Sequence, residues 1–265
     1  MRDRISIDIA NHIADVRLIR GEKMNALDPA MFAALAEAGD VLRARKDVRA
    51  IVLSAEGRAF CAGLDLKNFE SMVAGEAPRR DLIERTHGIA NLPQHIVLQW
   101  REMPVPVIAA VHGVAFGGGL QLMLGADLRF VHPETQLSLM EMRWGLVPDM
   151  GGMWLIRDLL RPDVAADLVF TGRIFSGDEA LRLGLATRVC ADPRATALEA
   201  AREIASKSPD AIRAAKRILS LDHSELRARV LMAEAVEQTA LRSKPNQVEA
   251  VRAAQERRPP VFTDS

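Results

Sequence analysis

The spacing of apolar and polar residues predicts that the first part of the chain mixes strands and helices. Residues 5–18 (ISIDIANHIADVRL) alternate apolar and polar side chains about a central Ala-Asn-His, which indicates a β-hairpin. Asp28 followed by Pro29 is typical of a helix start and precedes apolar residues at helical spacing. The apolar runs at 50–54 and 107–113 predict buried strands, and glycines after the second run lead into the apolar helix GGLQLMLGA.

The second half of the chain is predicted to be mostly helical after Gly151. DLRFVHP and QLSLM, before that residue, indicate two further strands. Helical spacing then covers 153–160, 162–170, 178–184, 194–206, 209–220 and 224–242. Residues 67–104 show little periodicity, and 74–80 is typical of a surface turn that could cover a pocket. We therefore expect an α/β core over residues 1–190 and a helical C-terminal region over 191–265.

Composition narrows the classes of protein to which the chain could belong. Hydrophobic residues make up 49% of the 265 positions, which is enough for a large core, and no apolar run is long enough to span a bilayer. The 35 basic and 35 acidic residues balance, so nothing indicates a nucleic-acid or membrane-surface partner. Two isolated cysteines and a charged N-terminal segment favour a soluble cytoplasmic protein.

Histidines, cysteines and serines do not form the motifs of metal or hydrolase sites. His87, His95 and His112 have no partner at metal-binding spacing, and Cys61 has no base beside it. The GxSxG motif of serine hydrolases is absent from the sequence. We therefore expect no metal, and a packing role for Cys61.

A turn of small residues follows the strand predicted at 50–54. In AFCAGLDLK (59–67), Ala62 and Gly63 leave the main chain open to close approach. Asp65 can hold this turn by accepting hydrogen bonds from its amides. A short AGxD string by itself favours a plain strand-to-helix connection, so the string alone does not establish a binding site.

A glycine-rich segment opens the helix that follows the strand at 107–113. VHGVAFGGGLQL (111–122) places three glycines where unpaired amides and the helix dipole favour negative charge. It has neither the Lys-Ser/Thr of a Walker loop nor a GxGxxG fingerprint, and tight packing of the helix on the sheet would also explain the glycines. If one amide from each loop converges on a single oxygen, the two loops together can stabilise an enolate or a tetrahedral oxyanion.

Four segments occur in the order and approximate spacing of the crotonase (enoyl-CoA hydratase/isomerase) superfamily. They are AFCAGLDLK, AAVHGVAFGGGLQL, MEMRWGLVPDMGG and GRIFSGDEALRLGLA, and the resemblance extends from GEKMNALD to the final helices. It implies a crotonase-like α/β fold, a spiral of ββα units followed by helices that assist trimerisation. It also implies a homotrimer or a dimer of trimers, and an acyl-CoA thioester as substrate with no cofactor.

The resemblance implies main-chain roles for two loops. The amides of Leu64 and Gly118 correspond to the pair that binds the thioester oxygen. The implied substrate and CoA contacts are Lys23, Met24, Ala26, Ala62, Leu64, Asp65, Leu66, Lys67, Gly118 and Gln121. Lys23, Arg58 and Lys67 are candidate phosphate partners, although surface bases of this kind are as often simply solvated.

The acid/base positions depart from those of the family's hydratases, which resemble one another in using two glutamates. The first position is Gln121, whose amide cannot accept a proton at neutral pH. The second is Glu141, whose apolar neighbours would raise its pKa by burial. Without the resemblance, an exposed glutamate paired with Arg143 is the simpler interpretation. Asp149 is similar to the second carboxylate of the dienoyl-CoA isomerase branch, but could instead cap a helix beginning near 151.

These residues favour an enzyme that shifts a double bond of an unsaturated acyl-CoA through an enolate. Glu141 is the expected principal base, with Asp149 as a second carboxylate in the same loop. Hydration of a 2-enoyl-CoA is the first alternative, because Asp149 could help Glu141 to orient water. An acyl-CoA thioester hydrolase and a noncatalytic acyl-CoA-binding protein are further alternatives.

Overall fold

The computed structural model describes residues 3–66, 81–220 and 224–262, and its main sheet is mostly parallel. The strands are β1 (Ile5–Ala10), β2 (Ile13–Leu18), β3 (Ala50–Ala55), β4 (Val107–Val111), β5 (Val114–Phe116), β6 (Leu128–Val131), β7 (Gln136–Ser138) and β8 (Arg188–Val189). The main sheet has the order β1-β2-β3-β4-β6-β8 and is antiparallel at β1 and β2 alone. β5 and β7 form a separate parallel pair.

Helices connect and cover these strands. They are α1 (Pro29–Arg43), α2 (Leu92–Arg101), α3 (Gly118–Leu124), α4 (Gly152–Arg157), α5 (Pro162–Thr171), α6 (Gly177–Leu183), α7 (Pro193–Ala205), α8 (Pro209–Leu219), α9 (Ser224–Leu241) and α10 (Pro245–Glu256), with short 3-10 helices at Gly21–Lys23 and Met140–Trp144. The predicted strands and the six helices predicted after Gly151 are confirmed, with ends shifted by a few residues.

Turn and capping residues explain why the β1–β2 hairpin and helix α1 form where the sequence predicts them. Asn11 and His12 have positive φ angles of 51° and 67°, as a tight turn between antiparallel strands requires. Asp28 caps α1, because its Oδ1 accepts a hydrogen bond of 2.8 Å from the amide of Met31. Pro29 follows as the first helical residue, where its missing N–H costs nothing.

Two helices were not predicted from the sequence. α2 lies in the segment of weak periodicity and begins with a capping box, in which Asn91 and Gln94 each accept a hydrogen bond from the other's amide. α10 follows the last predicted helix. The surface turn predicted at 74–80 lies outside the described residues.

The central strands of the main sheet are buried on both faces of the sheet. One face packs in the large core, which includes Leu35 of α1 and Trp100 of α2. The other face is covered by α7, whose buried alanines 197, 201 and 205 pack against residues such as Val52 and Ile108. Alanines one turn apart allow the helix to approach the sheet closely. The division at residue 190 stays a prediction.

No helix within the described ranges is both long and apolar enough to cross a bilayer.

Candidate active site

The loop after β3 runs beside β5 and so meets the glycine-rich start of α3. The amide of Cys61 donates to the Val114 oxygen over 3.0 Å, and the Phe116 amide donates to the Cys61 oxygen over 3.1 Å. Gly63 has φ +88°, and a Cβ there would lie 2.6 Å from the Phe116 oxygen and 3.7 Å from the Gly118 nitrogen. Only glycine fits this approach, which brings the two predicted loops together.

The amides of Leu64 and Gly118 are both oriented away from internal partners. Leu27 donates its amide to the Gly63 oxygen (2.8 Å) and accepts from the Asp65 amide (3.1 Å), so the amide of Leu64 between them faces the other side of the strand. Gly118 is the first residue of α3, where helical geometry provides no acceptor. Within the described part of the chain neither amide donates a hydrogen bond. Their convergence on one thioester oxygen stays a prediction.

The predicted CoA-contacting loop lies alongside the first of these loops. Met24 and Asn25 have positive φ angles of 50° and 54°, and the Ala62 amide donates to the Met24 oxygen over 2.9 Å. Asn25 is fully buried, and its Nδ2 donates to the main-chain oxygens of Glu56 and Ala59, both at 2.9 Å. Asn25 therefore fixes the two loops to each other, a role the sequence did not indicate.

Arg20 provides a second connection between the same loops. Its Nη1 donates to the Ala26 oxygen at 2.9 Å and to Asp65 Oδ2 at 2.7 Å. Asp65 was expected to accept hydrogen bonds from turn amides, and the structure pairs its carboxylate with this guanidinium. The pair is largely buried, which reduces its screening by salt.

The candidate phosphate partners lie at the surface or outside the described residues. Lys23 and Arg58 are exposed, and Leu66 is 62% exposed. Lys67 lies outside the described residues. Phosphate binding by these side chains stays a prediction.

Glu141 is buried, as the sequence predicted from its apolar neighbours. Burial raises the pKa of this carboxyl to about 7; the hydrogen bond from Gln121 opposes the shift, and the charge of Asp149 adds to it. Glu141 Oε1 accepts from Gln121 Nε2 over 2.6 Å, whereas the buried Oε2 has no hydrogen-bond partner within the described residues. A Cβ at Gly117 would lie 3.4 Å from Oε1, so the carboxylate lies against the start of α3. The alternative pairing with Arg143 is wrong.

Gln121 connects Glu141 to the start of α4. Its Oε1 accepts from the amides of Met150 (2.9 Å) and Gly152 (3.0 Å). Two donors on this oxygen fix the orientation of the amide group, so that its Nε2 must face Glu141. Glu141 Oε1 is thereby held by a hydrogen bond, and Glu141 Oε2 has no donor among the described residues.

Asp149 does not cap the helix that follows it. α4 begins at Gly152 after the N-cap Gly151, and no N-cap side chain accepts from its amides. The amides at its start are taken instead by Gln121 and by Glu234, whose Oε2 accepts from the Gly151 amide over 2.8 Å. The helix-cap interpretation is therefore wrong, because the amides at the start of α4 donate to Gln121 and Glu234, which are distant in sequence.

The Asp149 carboxyl belongs to the same electrostatic site as Glu141. Its side chain is partly buried. Burial raises its pKa to about 6, and the charge of Arg242 and a hydrogen bond from Gln238 partly oppose the shift. Two carboxyls with raised pKa values in one site are the arrangement expected where a proton is exchanged.

Three polar residues, in the second half of α9 and directly after it, face the loop that carries Asp149, and sequence analysis missed them. Glu234 and Gln238 are four residues apart and so lie on one face of α9, and Arg242 directly follows the last residue of the helix. The first two are 4% and 7% exposed. A repeated polar position among apolar and small residues (LMAEAVEQTAL) is the sequence signal that could have identified them.

Two further observations concern the Cys61 thiol and possible metal ligands. Burial raises the pKa of the Cys61 thiol to about 12, which leaves it a packing residue rather than a nucleophile. No group of three or more His, Cys, Asp or Glu side chains suited to a metal occurs in residues 3–66, 81–220 and 224–262.

Comparison with known proteins establishes the family. The sequence model of the enoyl-CoA hydratase/isomerase family matches residues 8–265. The chain belongs to this family. This member is 31% identical to the (E)-benzylidenesuccinyl-CoA hydratase of Thauera aromatica, over 97% of its own length and 98% of the relative's. It is 33% identical to the human mitochondrial Delta(3,5)-Delta(2,4)-dienoyl-CoA isomerase, over 80% of its own length and 67% of the relative's.

A solved structure confirms the predicted fold class. The crystal structure of an enoyl-CoA hydratase/isomerase from Pseudoalteromonas atlantica T6c matches with a TM-score of 0.85 at 27% identity, covering 98% of this chain and 99% of that one. The fold is therefore the crotonase-like α/β fold, and the protein is a crotonase-type enzyme that acts on acyl-CoA thioesters.

Proposed function

We propose that this enzyme shifts a double bond of an unsaturated acyl-CoA, with Glu141 and Asp149 exchanging protons at different carbons of the acyl chain. The observation that carries the proposal is a pair of carboxyls with pKa values raised to about 7 and about 6 beside a glutamine. Gln121 can orient Glu141 but cannot relay a proton, so the pair of glutamates that resembles a hydratase site is incomplete.

The proposed reaction begins at the thioester. The amides of Leu64 and Gly118 donate hydrogen bonds to the thioester oxygen, where negative charge develops. Glu141 Oε2, which has no donor of its own in the described structure, takes a proton from the acyl chain. The C–H electron pair moves into the conjugated system and onto the oxygen, which gives a dienolate. Asp149, as the acid, returns a proton at another carbon, and the double bond is then displaced.

The two carboxyls suit this exchange because their charges interact. The charge of Asp149 raises the pKa of Glu141, and both carboxyls titrate close to neutral pH. One group can then act as base while the other acts as acid. Catalytic groups whose pKa values lie near the working pH transfer protons most effectively.

Binding of CoA is proposed along the loops that the resemblance implicated. Main-chain groups of Met24, Ala26 and Ala62 would face the nucleotide portion, with Lys23 and Arg58 near its phosphates. The resemblance also implicates Asp65, Leu66 and Lys67 in CoA binding. A homotrimer or a dimer of trimers, a cytoplasmic location and the absence of a cofactor also remain predictions.

Hydration is the second candidate function, because the Thauera aromatica relative that matches nearly the whole chain is named a hydratase. Water addition also needs an acid and a base around one water molecule. Asp149 would have to supply the carboxylate that Gln121 lacks.

The deciding experiment is incubation with 2-enoyl-, 3-enoyl- and 3,5-dienoyl-CoA in deuterated water, followed by mass spectrometry. A double-bond shift incorporates deuterium into the acyl chain without adding the mass of water, and a conjugated product gains ultraviolet absorption. Hydration adds the mass of one water. We expect the first result, and expect Asp149→Asn to lose the dienoyl-CoA shift. Rapid hydration of the 2-enoyl-CoA with no shift of any substrate would overturn the proposal.

A further inference from the structure

Glu234 of α9 has a buried carboxyl group that contacts two other helices beside the site. It is 4% exposed. Its Oε2 accepts from the Gly151 amide over 2.8 Å and from Gln94 Nε2 over 3.2 Å, and its Oε1 accepts from the Met153 amide over 3.1 Å. Glu234 therefore connects α9 to the start of α4 and to the N-terminal turn of α2.

The surroundings of Glu234 fix its position independently of any substrate. A buried carboxyl group without hydrogen-bond partners is destabilising, and here N–H groups from three residues approach its two oxygens. Gln94 is itself held, since its Nε2 also donates to the Leu231 oxygen over 2.6 Å and its Oε1 accepts from the Asn91 amide over 3.1 Å. The partners of the Glu234 carboxyl group are therefore themselves held in place.

The segment 147–153, which carries Asp149, is held from two sides. On the α9 side, Glu234 accepts from Gly151 and Met153, and Gln238 accepts from the Val147 amide over 3.0 Å. On the inner side, Gln121 accepts from the amides of Met150 and Gly152. Asp149 lies between these fixed amides, and Gln121 transmits the position of the segment to Glu141.

We infer that Glu234 is a positioning residue for the acid/base groups: it holds segment 147–153 so that Asp149 and the Gln121–Glu141 pair keep their relative places. It acts through main-chain amides and not on the substrate. The inference rests on the proposed role of Asp149. Displacement of a catalytic group by about 1 Å can lower the rate by roughly two orders of magnitude, so loss of this contact should affect turnover more than binding.

The kinetic test compares Glu234→Ala, Glu234→Gln and the control Glu237→Ala on the substrate with the highest turnover in the acyl-CoA panel. Glu237 is exposed on the same helix and makes none of the hydrogen bonds described above. We expect Glu234→Ala to lower kcat at least ~10-fold while KM changes less than about threefold, the signature of a lost transition-state interaction. Glu234→Gln keeps one acceptor oxygen and should be intermediate, and Glu237→Ala should match the wild type.

Hydrogen–deuterium exchange of the amides supplies a readout that is independent of the reaction. In Glu234→Ala, the peptide covering 147–153 should exchange at least ~10-fold faster, while peptides from β3 and α7 keep their wild-type rates. Unchanged exchange in 147–153, or equal acceleration throughout the chain, would overturn the inference. Absence of a double-bond shift in the wild type would count against the proposed function alone, because the exchange measurement does not depend on it.

Discussion

Gln121→Glu tests the proposed division of roles between the amide and the carboxyl. In the wild type, Gln121 Nε2 lies 2.6 Å from Glu141 Oε1. Two carboxylates at that separation would repel by about 6 kcal/mol at an effective dielectric constant near 20, equivalent to about 4 pKa units. The pair would therefore retain a proton at pH 7. The amides of Met150 and Gly152 already donate to residue 121 and favour the charge there, so the proton should stay on Glu141.

The expected result is loss of the base at neutral pH. We predict that kcat/KM of Gln121→Glu at pH 7 falls at least ~10-fold, and that the acidic limb of its pH profile moves up by one unit or more, because the raised pKa delays ionisation of Glu141. Hydration of a short 2-enoyl-CoA should improve only above that limb, where both carboxylates ionise. Gln136→Glu, at an exposed glutamine of β7, is the matched control. A profile that superimposes on the wild type would refute the reasoning.

Three further predictions concern the base, the amide donor and stability. Glu141→Gln should lower kcat at least ~10²-fold with CoA affinity unchanged by calorimetry, and near-normal turnover would contradict its role. Gly118→Pro removes a proposed donor and should abolish turnover, with circular dichroism as the check on folding. Burial raises the folded-state pKa values of Glu141, Asp149 and Glu234, so the free energy of unfolding should fall as pH rises from about 5 to 8. Urea unfolding at a series of pH values measures this loss of stability. Glu234→Gln should reduce the loss by up to about 3 kcal/mol over that range.

Features encoded by short segments could be predicted from the sequence. The two loops, Gln121, Glu141 and Asp149 all lie in contiguous motifs, and the apolar neighbours of Glu141 correctly indicated its raised pKa. Capping by Asp28 was also predictable, since a cap and its amides are three residues apart. Each of these features depends on residues that are close in sequence.

Features that depend on distant partners could not be predicted. Glu234 reaches the amide of Gly151 across 83 residues, and nothing near Asp149 shows that those amides already have acceptors. α2 was missed because Gln94 and Gln99 are both buried, so its polar and apolar residues do not separate into an exposed and a buried face. α10 was missed because three of its four buried residues are two alanines, Ala250 and Ala253, and the polar Gln247, which give no clear apolar pattern.

The close approach of Gly63 to Phe116 and Gly118 has a consequence for how such enzymes diversify. Both proposed oxyanion donors belong to the main chain, and backbone packing, not side-chain identity, sets their separation. Substitution of a neighbouring side chain can change where protons are delivered without deleting a donor, because proline alone among the residues lacks the N–H. A lineage could thus exchange one reaction for another at positions 121, 141 and 149 while it inherits enolate stabilisation intact.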